Sequence, residues 1–337
     1  QAGQLGTKSG WAGRLADSWN LSNTLGLNIS YGGATKTFMG LETSALTMAT
    51  RGPASYSGLN EMPDFENILT SFADKTQNSN IFDKFTNKIN KRTATLSSEL
   101  ATAWDSAPTF TKLNSYGEAL FTPYTGNDES KEALGTRTHH GLDKRIFEQL
   151  EATAKMIDIS KDNFSANRQI FYVRQAGHDV HGSQVDTHSK HLRAISLSVS
   201  DFYKALEEMG LEENVLLIST SEFGRTMRNN GDGTDHGWAG HSFIMCGDTY
   251  HEDTNPNGFN GGKVLGKVLE DLDYEGINAY TDRARIIPTT SIEQMLAPAL
   301  DWFGVDEVTM DTVLPNLINF RATDGDYKTA FVQGVFS

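Results

Sequence analysis

Two short apolar runs on either side of a long amphipathic segment constrain the fold of this chain most strongly. The runs cover residues 169–173 and 215–218 and have the length of buried strands. Between them, apolar residues recur every three or four positions over 188–209, which predicts a helix that ends at Gly210. The stripe expected to pack on the sheet is Leu192, Ile195, Val199, Phe202, Leu206 and Met209. Strand, helix and strand in this order predict a parallel sheet with a crossover helix.

Apolar spacing also predicts elements before this unit. A short helix is expected at 11–16, a strand at 27–31, and helical spacing continues through 61–104. A further helix begins near Leu142.

After the unit, the apolar run 243–246 follows the second strand. The capping-box pattern Thr290-Ser-Ile-Glu293 predicts the start of the last helix. We therefore expect one domain in two parts. Residues 1–140 form an irregular and helical N-terminal part, and residues 141–337 form an α/β core.

Charge and cysteine content exclude several classes of partner. The chain of 337 residues carries a formal charge of −14, which argues against nucleic acids and anionic membranes as partners. Its one cysteine, Cys246, leaves no intramolecular disulfide. No run approaches the roughly 18–20 apolar residues that a membrane-spanning helix needs.

A carboxylate and an imidazole follow the first predicted strand. Asp179 and His181 are two residues apart, so an extended chain points both side chains the same way, as shared coordination of one ion requires. The alternative is a polar turn in which Asp179 caps the following segment.

The second predicted strand is followed by Glu222, after which a glycine-rich loop supplies Asp235, His236 and His241. Carboxylates and imidazoles gathered at the carboxyl ends of strands predict a divalent-metal site, for Zn, Mn or Ca. Glu222 could instead pair with Arg225, or Arg225 could bind an anionic substrate group. The chain has no nucleophile-elbow, phosphate-loop or dinucleotide-binding motif, so the sequence does not identify a nucleophile.

Several motifs together resemble the bacterial family of domains of unknown function numbered 1501 (DUF 1501). They are Ser221-Glu-Phe-Gly-Arg-Thr226, Thr234-Asp-His-Gly237, the Gly-x-Asp-x-His of 177–181, and the stretches 285–291 and 302–304. That family is similar to the alkaline phosphatase and sulfatase superfamily. The resemblance implies an alkaline-phosphatase-like three-layer α/β sandwich with a mostly parallel sheet.

By this resemblance, Asp179, His181, Glu222 and His236 match metal ligands, whereas Phe223 stands where the superfamily has a histidine. The segment that would carry the first-strand aspartate and the nucleophile has no counterpart. We therefore expect the N-terminal part of the fold to be missing from this chain or to lie on another one.

The function that the resemblance implies is metal-dependent hydrolysis of phosphate or sulfate esters, on an anionic small molecule or a polysaccharide. Arg225 would stabilise the negative charge of the transition state. The family's frequent twin-arginine signal implies a periplasmic or extracellular location, and its gene neighbours suggest a protein partner from the DUF 1800 family. The alternative is a non-catalytic extracellular or surface assembly protein with a degenerate metal site.

Overall fold

A computed structural model describes most of the chain. The described residues are 8–19, 25–53, 64, 71, 99–123, 142–164, 166–266, 269, 271, 273–280, 283–323 and 325–337. Most of the helical spacing predicted over 61–104 lies outside them, and its described end, residues 99–105, is helical. The division into parts 1–140 and 141–337 stays a prediction.

A small parallel sheet of three strands contains two of the predicted strands. Strand β1 (Asn28–Ser30) lies in the middle, with β2 (Leu46–Thr47) on one side and β3 (Ile170–Tyr172) on the other. All of β1 is buried, as expected for a central strand covered on both faces.

The next strand along the chain, β4 (Leu216–Ile218), is confirmed in position but not in its expected pairing. Within the described residues it pairs antiparallel with β7 (Ile244–Cys246), while β3 pairs with β1. The run 243–246 returns directly alongside β4 and takes its backbone hydrogen bonds. The described strands thus form a mixed α/β structure of small sheets.

The glycine-rich loop expected to deliver Asp235 and His236 is instead a β-hairpin. Strand β5 (Gly224–Asn229) pairs antiparallel with β6 (Thr234–Gly237), with a register shift between Arg225 and Asn229. A second small hairpin, β8 (Ala279–Tyr280) and β9 (Arg285–Ile286), packs beside it.

Five helices have both ends described. They are α1 (Trp11–Trp19), α2 (Lys144–Phe164), α3 (Gln184–Met209), α4 (Ile292–Trp302) and α5 (Glu307–Val313). The capping box of α4 uses Ser291 and Gln294, one residue later than predicted on each side. Helix α4 is also not the last, because α5 follows it.

Helix α3 ends at Gly210 as predicted, with that residue in the left-handed conformation. Its buried stripe differs from the predicted one near its start, because it packs against α2 as well as the strands. Leu192 is 54% exposed, while Phe202 and Leu206 are buried. The small side chains Ala194 and Ala205 lie on the buried face as well.

Three clusters of buried apolar side chains position the strands that lead to the candidate site. One joins α1 to α4 and α5, the second joins α2 to α3, and the third packs β1 and residues 99–105 on α2. Strand β4 contacts the first cluster through Ile218 and the second through Leu217, and β3 contacts the first through Ile170. The segments that follow β3 and β4 therefore begin at strands that the buried clusters hold in place. Among the described helices, none has the length and apolarity needed to cross a bilayer.

Candidate metal centre

Three of the residues predicted from the sequence come together. Asp179, His181 and His236 each offer one ligand atom, and these atoms all lie within 4.8 Å of one another. Asp179 Oδ1 is 2.7 Å from His236 Nε2 and 3.4 Å from His181 Nδ1. The three side chains are 66%, 51% and 43% exposed, in the order Asp179, His181, His236, so the cluster opens to solvent.

Two different elements supply this metal-ligand cluster. Asp179 and His181 lie on the irregular segment that follows β3, whereas His236 lies on β6, opposite Arg225 in the hairpin. The side chains of Asp179 and His181, two residues apart in the chain, therefore lie close together, as their spacing predicts. His236 reaches them only because the β5–β6 hairpin folds back onto this segment.

Side chains of the β5–β6 hairpin donate hydrogen bonds to the backbone of the segment that carries Asp179 and His181. The Arg225 guanidinium donates hydrogen bonds to the carbonyls of His178 and Thr234, and the side-chain amide of Asn230 donates to the carbonyl of His181 at 3.0 Å. The carbonyls of His178 and His181 lie on either side of Asp179 in the chain. These hydrogen bonds therefore hold the Asp179 carboxylate in position next to His236.

Ring stacking fixes the orientation of His236. Its imidazole lies parallel to the Phe223 ring, with 3.8 Å between centroids and 8° between planes. His181 packs on His236 at 4.8 Å, and the Arg225 guanidinium lies 5.1 Å from the Phe223 ring centroid. This arrangement leaves Nε2 of His236 directed at Asp179.

The electrostatics of the cluster favour an ionised carboxylate. The hydrogen bond from the His236 imidazole holds the pKa of Asp179 below its ordinary value, with smaller contributions from the charges of His181 and Arg225. An ionised carboxylate beside two imidazoles is the form that binds a cation.

The other predicted ligands lie outside the cluster. Glu222 is exposed, and its charge acts on His178, whose pKa is lowered mainly by burial and raised slightly by Glu222. Asp235 points away from its neighbour His236, as alternation along β6 requires, and pairs with Arg283 at 2.9 Å. His241 is exposed, beyond the end of β6.

The predicted alternative pairing of Glu222 with Arg225 is also absent among the described residues. Arg225 makes its hydrogen bonds to backbone carbonyls, so its role in the structure is to hold the segment around Asp179.

Beside the cluster lies a second group of histidines, in which His178 packs between His188 and His191 of α3. The ring centroid of His178 lies 5.6 Å from that of His188 and 4.9 Å from that of His191. The side-chain carbonyl of Gln175 accepts a hydrogen bond from His178 Nε2, 3.0 Å away. These three rings pack together at the residue that precedes Asp179.

Sequence reasoning missed the roles of Phe223 and Asn230. The turn Asn230-Gly231 between two short polar strands is a hairpin signal, and it would have placed His236 on a strand. The stacking of Phe223 on His236 carries no sequence signal, because it depends on how the hairpin meets the preceding segment.

Comparison with known proteins gives one family. The model of the family described as Protein of unknown function (DUF1501) matches residues 58–251, more than half of the chain and the range that contains the whole metal-ligand cluster. No curated protein and no solved structure matches the chain.

Proposed function

The chain belongs to the DUF1501 family, and we propose that Asp179, His181 and His236 hold a divalent metal ion for the hydrolysis of phosphate or sulfate esters. The observation that carries this proposal is the convergence of one carboxylate and two imidazoles from segments more than fifty residues apart.

The donor set favours Zn or Mn over Ca. Two imidazole nitrogens and one carboxylate oxygen suit a transition-metal ion, whereas Ca prefers six to eight oxygen ligands. Three protein ligands leave coordination positions for water and substrate, as catalytic sites require and closed structural sites do not. The exposure of all three side chains supports an open site.

A bound ion would polarise the ester oxygen and generate a hydroxide-like nucleophile near neutral pH. Other residues of the chain position the side chains that would bind the ion. Phe223 sets the ring plane of His236, and Arg225 and Asn230 set the position of Asp179. The alkaline-phosphatase-like sandwich remains part of this proposal, supported by the parallel β1–β3 pair and by site residues that follow strand ends.

Metal content and ester turnover test the proposal together. Purified protein is analysed for metals and assayed with p-nitrophenyl phosphate and p-nitrophenyl sulfate, before and after removal of metal by a chelator. We expect Asp179→Asn and His236→Ala to lose both the metal and the turnover.

Asp235→Asn is the matched control, because Asp235 adjoins His236 but pairs with Arg283, and asparagine keeps an oxygen to accept the hydrogen bond from Asn230. It should keep both metal and turnover. Equal metal content in Asp179→Asn and wild-type protein would overturn the proposed site.

One observation favours a second function, a non-catalytic extracellular or surface assembly protein. Phe223 stands where the resemblance places an imidazole, which leaves the site one nitrogen ligand poorer. On this alternative the metal is structural. Its removal should lower the melting temperature, and no ester of the panel should be turned over.

A periplasmic or extracellular location and a DUF 1800 partner are further proposals that rest on the family resemblance. Fractionation of cells that produce the protein tests the first. Co-purification with the product of a neighbouring DUF 1800 gene tests the second.

A further inference from the structure

The tip of the β5–β6 hairpin, residues 230–234, packs on the start of α3. The backbone nitrogen of Gln184, the first residue of α3, donates a hydrogen bond to the carbonyl of Asp232 at 3.2 Å. The preceding residue, Ser183, has a left-handed conformation with φ of 49°, and within the described part of the chain its side chain forms no capping hydrogen bond. The hairpin therefore supplies the acceptor for one of the N–H groups that a helix start leaves without an intrahelical partner.

Two glycines allow the hairpin tip to approach this closely. A Cβ atom at Gly233 would lie 2.9 Å from the carbonyl oxygen of His181 and 3.1 Å from Oε1 of Gln184. A Cβ atom at Gly182 would lie 3.0 Å from a carboxylate oxygen of Asp232. The hairpin and the segment before α3 thus meet where neither backbone carries a side chain.

A side-chain hydrogen bond joins α3 to the strand that carries His236. Thr234 Oγ1 donates to Gln184 Oε1 at 2.8 Å. Thr234 lies two residues before His236 on β6, and alternate residues of a strand face the same way. Gln184 lies three residues after His181 in the chain. The bond therefore connects the two elements that supply the metal-ligand cluster, close to a ligand on each.

Resting on the proposed metal site, we propose that Gln184 is a positioning residue for that site. Its hydrogen bond with Thr234 sets the separation between His181 and His236, and through that separation the affinity for the metal ion. Metal–ligand distances must be met within about 0.2 Å. His181 and His236 are 51% and 43% exposed, so the protein interior does not enclose them. Direct contacts between the two elements must then fix their spacing.

Gln184 complements the contact that Arg225 makes at the other end of the segment. Arg225 donates to the carbonyl of His178, just before the first ligand, whereas Gln184 holds the chain just after His181. The segment is thus attached to the hairpin on both sides of its ligands. Because the amide of Gln184 carries no charge, it can influence a bound cation only through position.

The test measures the dissociation constant for Zn²⁺ by competition with a chromophoric chelator. We expect Gln184→Ala and Thr234→Val each to raise this constant about ten-fold or more, as loss of a contact around metal ligands does. The double variant should bind no more weakly than either single variant, because both changes remove the same hydrogen bond. Val185→Ala is the control, because Val185 adjoins Gln184 but is 81% exposed. It should bind like the wild type.

Hydrogen exchange of the metal-free protein separates this inference from the proposed function. Both single variants should speed exchange of the backbone amides in residues 230–237. If the wild type binds Zn²⁺ and the single variants bind it equally tightly, the role of Gln184 is wrong and the metal site stands. Losses of affinity that add in the double variant would also overturn this role. If the wild type binds no Zn²⁺, the metal site is wrong, and faster exchange would still support the contact between α3 and the hairpin. Unchanged exchange would overturn that contact.

Discussion

The imidazole of His236 lies parallel to the ring of Phe223, with 3.8 Å between the ring centroids. This contact puts an apolar ring in the position where the family resemblance implies a histidine. Phe223, at the position where the resemblance implies a ligand, thereby supports His236. In the proposed metal site its contribution to metal binding would be indirect, through the orientation of Nε2 of His236 toward Asp179.

Removal of the Phe223 ring should therefore weaken metal binding without removing a ligand. We expect Phe223→Ala to raise the metal dissociation constant by roughly ten-fold or more, as loss of the shell around a ligand does. Loss of stacking should also cost about 0.5–1.5 kcal/mol in the free energy of unfolding. Phe223→Tyr keeps the ring and should bind metal like the wild type. Equal metal affinity in Phe223→Ala would show that His236 needs no support.

The clamp on the Asp179 segment gives a second prediction. Arg225→Lys keeps the charge but lacks the planar fork that reaches the carbonyls of both His178 and Thr234. We expect unfolding free energy to fall by roughly 1–3 kcal/mol, with weaker metal binding, measured by chemical denaturation and metal titration. Arg145→Lys, at a surface ion pair with Asp143, is the control and should change stability little.

The Glu222→Gln variant tests whether Glu222 forms an ion pair with Arg225. Because Glu222 is exposed and Arg225 bonds to backbone carbonyls, we expect a stability change within about 0.5 kcal/mol. Metal stoichiometry should also stay the same, because in the proposed site the three clustered side chains would hold the ion. Metal loss in Glu222→Gln would instead make Glu222 a fourth ligand.

Packing of α3 gives a prediction with a control on the same helix. Leu206 is fully buried between α2 and the strands, so Leu206→Ala should lower the free energy of unfolding by roughly 2–5 kcal/mol. Leu192 belongs to the stripe predicted from the sequence but is 54% exposed. Leu192→Ala should change stability by about 0.5 kcal/mol or less. Denaturant melts of both variants check this, and equal losses would mean that both ends of the stripe are buried.

The contrast between Leu192 and Leu206 shows what periodicity can predict. The 3.6-residue period correctly gives the helix, because a helix needs one apolar face for burial. Which side chains of that face are covered depends on the neighbouring elements. Near its start α3 packs on His178 through His188 and His191, while Leu192 stays exposed. The same limit applies to β4. Its apolar run predicts a buried strand but cannot specify that β7 provides its hydrogen bonds.

The site was predictable where it depends on local geometry. Asp179 and His181 lie two residues apart, a spacing that predicts their approach, and Asp179 Oδ1 does lie 3.4 Å from His181 Nδ1. The approach of His236 depends on a hairpin, and the support from Phe223 depends on how that hairpin packs. Glu222 follows a strand end as closely as expected but is exposed and lies outside the cluster. Proximity to a strand end alone therefore does not bring a carboxylate to the cluster.

The single cysteine gives a prediction about pH. Cys246 ends β7 and is buried, and burial raises the pKa of its thiol to about 11. At pH 8 the thiolate fraction should therefore be roughly 100-fold below that of a thiol with the ordinary value of 9. Because the folded pKa is raised, the neutral thiol favours the folded state below pH 9. That contribution is lost as pH rises toward 11. We expect slow reaction with a disulfide reagent at pH 8 and fast reaction once denaturant unfolds the protein. Equally fast reaction in both states would show that β7 does not shield Cys246.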